Sequence, residues 1–411
     1  MEVEDGKEII IGELHEDLSF LGTATVKAED EQKIIVHGSI NAVNDIVFEC
    51  SVVAEEFECD YGDIEIRGSL QVTRNIEIDN GKLIVLKDVS AKNIDVAAKF
   101  QVGGTLTSQN IEVGGHSEVK GDIQAEKIDV GAHLSCRANV SAEKIDVGGS
   151  LEIEGNILCD SIDIGGTSTI NTGEISNVEV GGNLNINGTF KSQKMDVGGK
   201  VRCKGNLEVS NHCEVGGSLK VTGDFKFGEL DVGATVNVEG DMTGQNIEIG
   251  GTLKVERNLT VERYIDVGGV VRIGEIGRAK KIEVGGVISA KRLEVEELEV
   301  GGTIEIEEGL TSSDHLRIGQ GGKINGPIIG KTVIITSGSK VKDIWGKKII
   351  LEEACRASNL YGEEIIIEEW CRVNGEILYT EKIKVDEEAQ LVNVPKKVEK
   401  LPSPPKYKSN E

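Results

Sequence analysis

Acidic side chains recur at one phase along most of this 411-residue sequence: Glu77, Asp95, Glu112, Asp129, Asp146, Asp163, Glu179, Asp196, Glu214, Asp231, Glu248, Asp266, Glu283 and Glu299. Each lies between two apolar residues, as Asp146 does between Ile145 and Val147. In an extended segment neighbours on either side of a residue point the opposite way, so these carboxylates face outward. If the segments stack, successive carboxylates lie about 5 Å apart. Rows of oxygen ligands suit hard cations such as Ca²⁺ or Mg²⁺, and Asp129, Asp146, Asp163, Asp196 and Asp231 are the candidate metal ligands. The same row would also dock a basic partner. A third reading is a solvated face that keeps molecules from adhering side by side, at a repulsion of about 1 kcal/mol per pair in water before screening.

Beyond Glu299 this phase reads Arg317, Ile334, Ile350, Ile366 and Lys384. Three successive outward isoleucines form an apolar stripe, and such patches mark interfaces. Either a partner or the chain's own C-terminal segment covers it, with Trp345 and Trp370 nearby. Cys136, Cys159, Cys203, Cys213, Cys355 and Cys371 fall on inward phases, as buried cysteines do. Cys355 and Cys371 share a phase in adjacent repeats, so a disulfide is geometrically possible. No Cys-x-x-Cys pair is present, which argues against zinc and redox motifs. His116 and His133 also share an outward phase, but no further ligand stands beside them. Neither a nucleophile elbow nor a phosphate loop occurs. The constellation expected is therefore not an enzyme's, and no cofactor is expected. An acyltransferase or polysaccharide lyase is the least favoured reading, because insertions between repeats are too short to build a cleft.

These residues are positioned by a repeat. Ile-Asp/Glu-Val-Gly-Gly and close variants recur at Ile111–Gly115, Ile145–Gly149, Ile162–Gly166, Ile247–Gly251, Ile265–Gly269 and Ile282–Gly286. Anchored on the second aliphatic, the series runs from Ile78 to Val385 in steps of about 17 residues. Within a repeat, apolar residues come in pairs two apart: Ile145 and Val147, Leu151 and Ile153, Ile157 and Cys159. Period two means strands with one buried face. Gly148-Gly149 and Gly155-Asn156 separate the pairs, and both residue types tolerate the positive φ of sharp corners. Three short strands and three corners describe one coil of an all-β, single-stranded parallel β-helix. About 19 regular coils are expected, spanning roughly 85 Å at the inter-strand spacing. Residues 1–60 lose the register and read as irregular N-terminal β coils or a cap; 61–393 form the β-helix; 394–411, rich in Pro and Lys, read as a disordered tail. Its lysines, Lys396, Lys397, Lys400, Lys406 and Lys408, would be free to meet an acidic flank.

Composition narrows the functional classes. The net charge of −26 opposes nucleic-acid binding and docking on anionic lipid. No apolar run is long enough to cross a bilayer, and Met1-Glu2-Val3-Glu4-Asp5 does not read as a secretory leader. A cytoplasmic location is the expectation. Aromatic residues make up 3% of the chain, so stacking platforms for a sugar substrate are missing.

The turns Val119-Lys-Gly-Asp-Ile123, Ile153-Glu-Gly-Asn-Ile157, Cys203-Lys-Gly-Asn-Leu207 and Val221-Thr-Gly-Asp-Phe225 resemble those of bactofilins, polymer-forming cytoskeletal proteins. The resemblance covers roughly residues 60–390. It implies a right-handed β-helix, self-association by end-to-end stacking, and a role as a scaffold or filament subunit. The alternative is a monomeric β-helical platform that binds a protein partner or divalent cations.

Overall fold

A computed structural model describes residues 1–30 and 32–405. Every regular element among them is a strand, and no helix is long and apolar enough to cross a membrane. The chain divides into two compact units, Met1–Gly205 and Asn206–Glu411. Each is a parallel β-helix.

One winding of the first unit shows how the sequence builds it. Asn93–Val96, Lys99–Val102 and Leu106–Thr107 are three short strands joined by tight corners. Their partners are the same strands one winding later: Asn93 pairs with Asn110, Lys99 with His116 and Leu106 with Ile123, each 17 positions on. Ile94, Val96, Phe100, Val102 and Leu106 fill the interior at 2% exposure or less. Burying such a side chain contributes ~1.5–3 kcal/mol, and chain entropy offsets much of the sum. The second unit follows the same plan in longer strands that run through the corners, such as Val270–Val284, Val287–Val300 and Ile304–Ile318. Toward its end the winding tightens, with Ile328 against Ile344 and Ile344 against Leu360, each 16 apart.

The corners work differently from the sequence-based expectation. The recurrent Gly-Gly pairs do not adopt positive φ; the glycines that do are Gly6, Gly62, Gly173, Gly309, Gly321 and Gly338. What Gly148 provides is room. A Cβ there would stand 2.4 Å from the carbonyl oxygen of Gly131 in the winding beneath, and one on Gly131 would stand 2.1 Å from that of Gly114. The Asp and Asn that follow Gly at the other corner accept hydrogen bonds between windings. Asp122 Oδ1 receives the Asn139 N–H at 2.9 Å, and Asn139 Oδ1 receives that of Asn156 at 3.0 Å. In the second unit Asp224 Oδ1 receives the Asp241 N–H at 2.9 Å, and Asp241 Oδ1 that of Asn258 at 3.0 Å. Each side chain satisfies a corner donor that the ladder would otherwise leave unpaired.

Residues 1–60 wind as β coils continuous with those that follow: Glu2–Val3 pairs with Leu18–Phe20, which pairs with Ser39–Ala42, then Glu56–Cys59, then Asn75–Ile78. The register is hidden because windings differ in length. Glu2 and Ser19 are 17 apart, but Ser19 and Asn41 are 22 apart. The surplus goes into a corner where Asp30 Oδ1 accepts the N–H groups of Gln32 and Lys33. Phe20, Phe48 and Phe57 fill this region edge-on, with centroids 6.0 and 5.9 Å apart. At the other end, part of the Pro- and Lys-rich tail makes defined contacts. Lys396–Lys397 pairs with Leu378 and Tyr379, the Val398 N–H reaches the Tyr379 carbonyl at 2.9 Å, and Trp345 Nε1 donates to the Pro402 carbonyl at 3.2 Å. The rest of the tail, 406–411, lies outside the described residues.

Candidate functional site

The acidic residues stand in register. In the first unit the column runs Glu58, Glu77, Asp95, Glu112, Asp129, Asp146, Asp163, Glu179, Asp196, each paired with the next. In the second it runs Glu214, Asp231, Glu248, Asp266, Glu283, Glu299, then Arg317, Ile334, Ile350, Ile366 and Lys384.

The column does not stand alone on its face. Two positions earlier in each strand a second outward column accompanies it. Asn75, Asn93 and Asn110 form an amide ladder there, with Nδ2 donating to Oδ1 at 2.9 and 2.8 Å. Further on the second column turns cationic. Lys127 Nζ lies 3.3 Å from Asp129 Oδ2, Lys144 Nζ lies 4.0 Å from Asp146 Oδ2, and Lys281 pairs with Glu283. Tyr264 donates its hydroxyl to Glu248 at 2.7 Å. Where no cation stands close, the strain appears in acidity. Burial, and then the charges of Asp79, Glu58, Asp95 and Asp60, hold the Glu77 carboxyl above its ordinary pKa. Burial and Asp79 do the same to Asp95.

Of the candidate metal ligands, Asp129 and Asp146 are therefore engaged by lysines. Asp163 and Asp196 line a shallow groove of about 270 Å³ with Lys144, Asn177, Glu179 and Lys194. Asp231 stands between Glu214 and Glu248. Among the described residues, the donor atoms that converge three at a time belong elsewhere, to Glu13, His15 and His37. Sequence reading did not single these out, because a winding of 22 residues separates His15 from its neighbour His37.

Ile334, Ile350 and Ile366 stack in one half-buried column. The tail does not lie along that register. It follows a neighbouring column around the corner, in which Ile329, Trp345, Tyr361, Leu378 and Lys396 stand in register. Trp345 and Tyr361 lie 4.8 Å apart there, and Tyr361 keeps 9% exposure. Burial pushes its phenol up, helped by Glu376 and Asp343. Trp370 is exposed at a corner with φ 56°.

All eight cysteines are buried free thiols. Several serve the corners. Cys59, Cys136, Cys159 and Cys203 each approach the carbonyl two residues on, at 3.1–3.5 Å. Ser192 does the same with its hydroxyl at 2.7 Å, so sulfur and oxygen are equivalent corner donors. Burial pushes the Cys136, Cys159 and Cys203 thiols up to about 11. Cys355 and Cys371 sit in adjacent windings; hydrogen bonding between the thiols, with burial, raises Cys355. His116 and His133 are tilted with centroids 6.2 Å apart, and His133 Nδ1 bonds the Ser150 hydroxyl at 2.7 Å.

No family model matches the chain, and no curated protein or solved structure matches it.

Proposed function

We propose that the protein is a structural scaffold or filament subunit that self-associates by end-to-end stacking of its β-helix, as the resemblance to bactofilins implies. The observation that carries this reading is the last winding of the second unit. Ile383 and Val385 occupy the inward phases, yet both are half-exposed, as is Leu391. Ile365, Ile367 and Val373, their counterparts one winding earlier, are at 1% or less. Among the described residues, no strand pairs with the outer edge of Ile383–Val385 or of Gln390–Leu391. An open edge with aliphatic side chains beside it is a template for another chain. A head-to-tail contact of that kind generates filaments when its rotation does not close. The strongly acidic surface opposes lateral adhesion and so favours association at the ends.

Sedimentation velocity and negative-stain microscopy from micromolar to millimolar protein test this. Concentration-dependent filaments that vanish in an Ile383→Glu, Val385→Glu variant are expected. Discrete monomers throughout, or filaments indifferent to those substitutions, would overturn it. Monomers would favour the second reading, an interaction platform for a protein partner or divalent cations, for which the half-exposed Ile334, Ile350 and Ile366 column speaks.

A further inference from the structure

We propose that Glu13, His15 and His37 form a binding site for a borderline divalent transition metal of the zinc class. Glu13 and His15 flank Leu14 on one winding, both exposed. His37 follows on the next, where Leu14 pairs with Val36 and the His37 N–H reaches the Leu14 carbonyl at 2.8 Å. The stacking of windings thus brings together three side chains that the 22-residue spacing keeps apart in sequence.

The donor atoms lie within 4.8 Å of one another. His37 Nε2 is 2.6 Å from Glu13 Oε1, and the His15 and His37 rings stack with centroids 4.7 Å apart and planes 12° from parallel. Zinc bonds of about 2.0–2.2 Å set tetrahedral ligand atoms roughly 3.3 Å apart. The Glu13–His37 contact would open slightly, and the two imidazole nitrogens, within 4.8 Å of each other, would settle at that spacing. Rotation about the broad terminal torsions of His and Glu accommodates both shifts. All three residues are exposed, and the contact that must yield to the rotation is the stacking of the two imidazoles. Two imidazoles and one carboxylate select zinc-class ions over Ca²⁺ and Mg²⁺, which prefer oxygen. Three protein ligands leave a position for water. The metal would take the place of the hydrogen bond now made between Glu13 and His37. Lys33, whose charge reaches Glu13, is the nearby cation that it must outcompete.

The site has a structural consequence. Its ligands come from either side of the long winding that carries the Asp30 corner, so bound metal would clamp that winding closed.

Isothermal titration of the full chain with ZnCl₂ alone tests the assignment, with hydrogen exchange of residues 7–37 as a second readout. One zinc per chain is expected, with slowed exchange around Leu14 and Val36. His15→Ala, His37→Ala and Glu13→Gln should each weaken binding by about tenfold or more, at least the cost of losing an outer-shell partner, while His116→Ala leaves it unchanged. Absence of zinc binding by the wild-type chain would overturn the proposal. So would zinc binding of equal affinity in the His15→Ala, His37→Ala double variant, or binding lost in His116→Ala instead.

Discussion

Replacing Asp163 by Asn tests how a column of like charges is tolerated. Asp163 is exposed and stands in register between Asp146 and Glu179. At about 5 Å in water each like-charge contact costs about 0.8 kcal/mol. With a Debye length of about 8 Å at physiological ionic strength, screening roughly halves that. Asn keeps the shape and removes two contacts. From those two contacts the variant gains at most about 1.6 kcal/mol at low salt and about 0.8 kcal/mol at physiological salt, reduced by the lost attraction to Lys144 and Lys194 in the same groove. Urea unfolding of both proteins at the two ionic strengths measures the difference. Asp129→Asn is the internal comparison: its carboxylate has Lys127 at 3.3 Å, so an attraction is lost with the repulsion and the gain should be smaller. The reasoning fails if Asp163→Asn is destabilised at low salt. It fails also if millimolar Ca²⁺ raises the wild-type midpoint and leaves the variant's unchanged, because the column would then be a cation site and not a solvated face.

The raised pKa values of Glu77 and Asp95 carry a sign. A carboxyl whose pKa is higher folded than unfolded destabilises the fold while it is charged, and that penalty disappears as pH falls through the folded value. Modest acidification from neutral should raise stability, Glu77→Gln should reproduce part of the gain at neutral pH, and a midpoint that falls steadily with acid from pH 7 would contradict this. Gly148→Val places a side chain 2.4 Å from the Gly131 oxygen; it should cost about 1–3 kcal/mol in urea unfolding, and wild-type stability would show that the windings part freely. Native protein should be inert to a thiol reagent such as Ellman's at mildly alkaline pH, because burial holds Cys136, Cys159 and Cys203 near 11, and all eight thiols should react once urea unfolds the chain. Fast stoichiometric labelling of the folded protein would refute that account.

The winding was legible because its cause is local. Period-two alternation and the spacing from Ile94 to Ile111 to Ile128 directly dictate which residues share a column. Corner chemistry was misread for a reason that lies outside any one repeat. Gly148 answers to the carbonyl of Gly131, and Asp122 to the N–H of Asn139, contacts that exist only once windings are stacked. Positive φ is a property of one residue and is the natural guess from sequence; clearance between windings is not visible there. The N-terminal windings read only as irregular coils because a longer corner near Asp30 shifts the phase by five positions without disturbing the pairing of Lys33–Val36 with Ser51–Ala54. The Glu13, His15 and His37 cluster was lost with them. The tail's composition, rich in proline and lysine, argues for disorder and carries no signal for its contacts: Val398 and Leu401 are half-buried, and the half-buried indole of Trp345 donates its N–H to the Pro402 carbonyl.

Because nearly every strand pairs with its own successor about 17 residues later, adding turns does not lengthen the loop that must close. Closing a segment of that length costs about 2.5 kcal/mol of entropy plus a constant, and the figure is the same for the tenth as for the second. Folding within each unit can then proceed as a zipper from whatever pair of turns forms first. Its speed should depend on how readily that first pair assembles and only weakly on chain length, which is the opposite of what a sheet joining distant strands would impose.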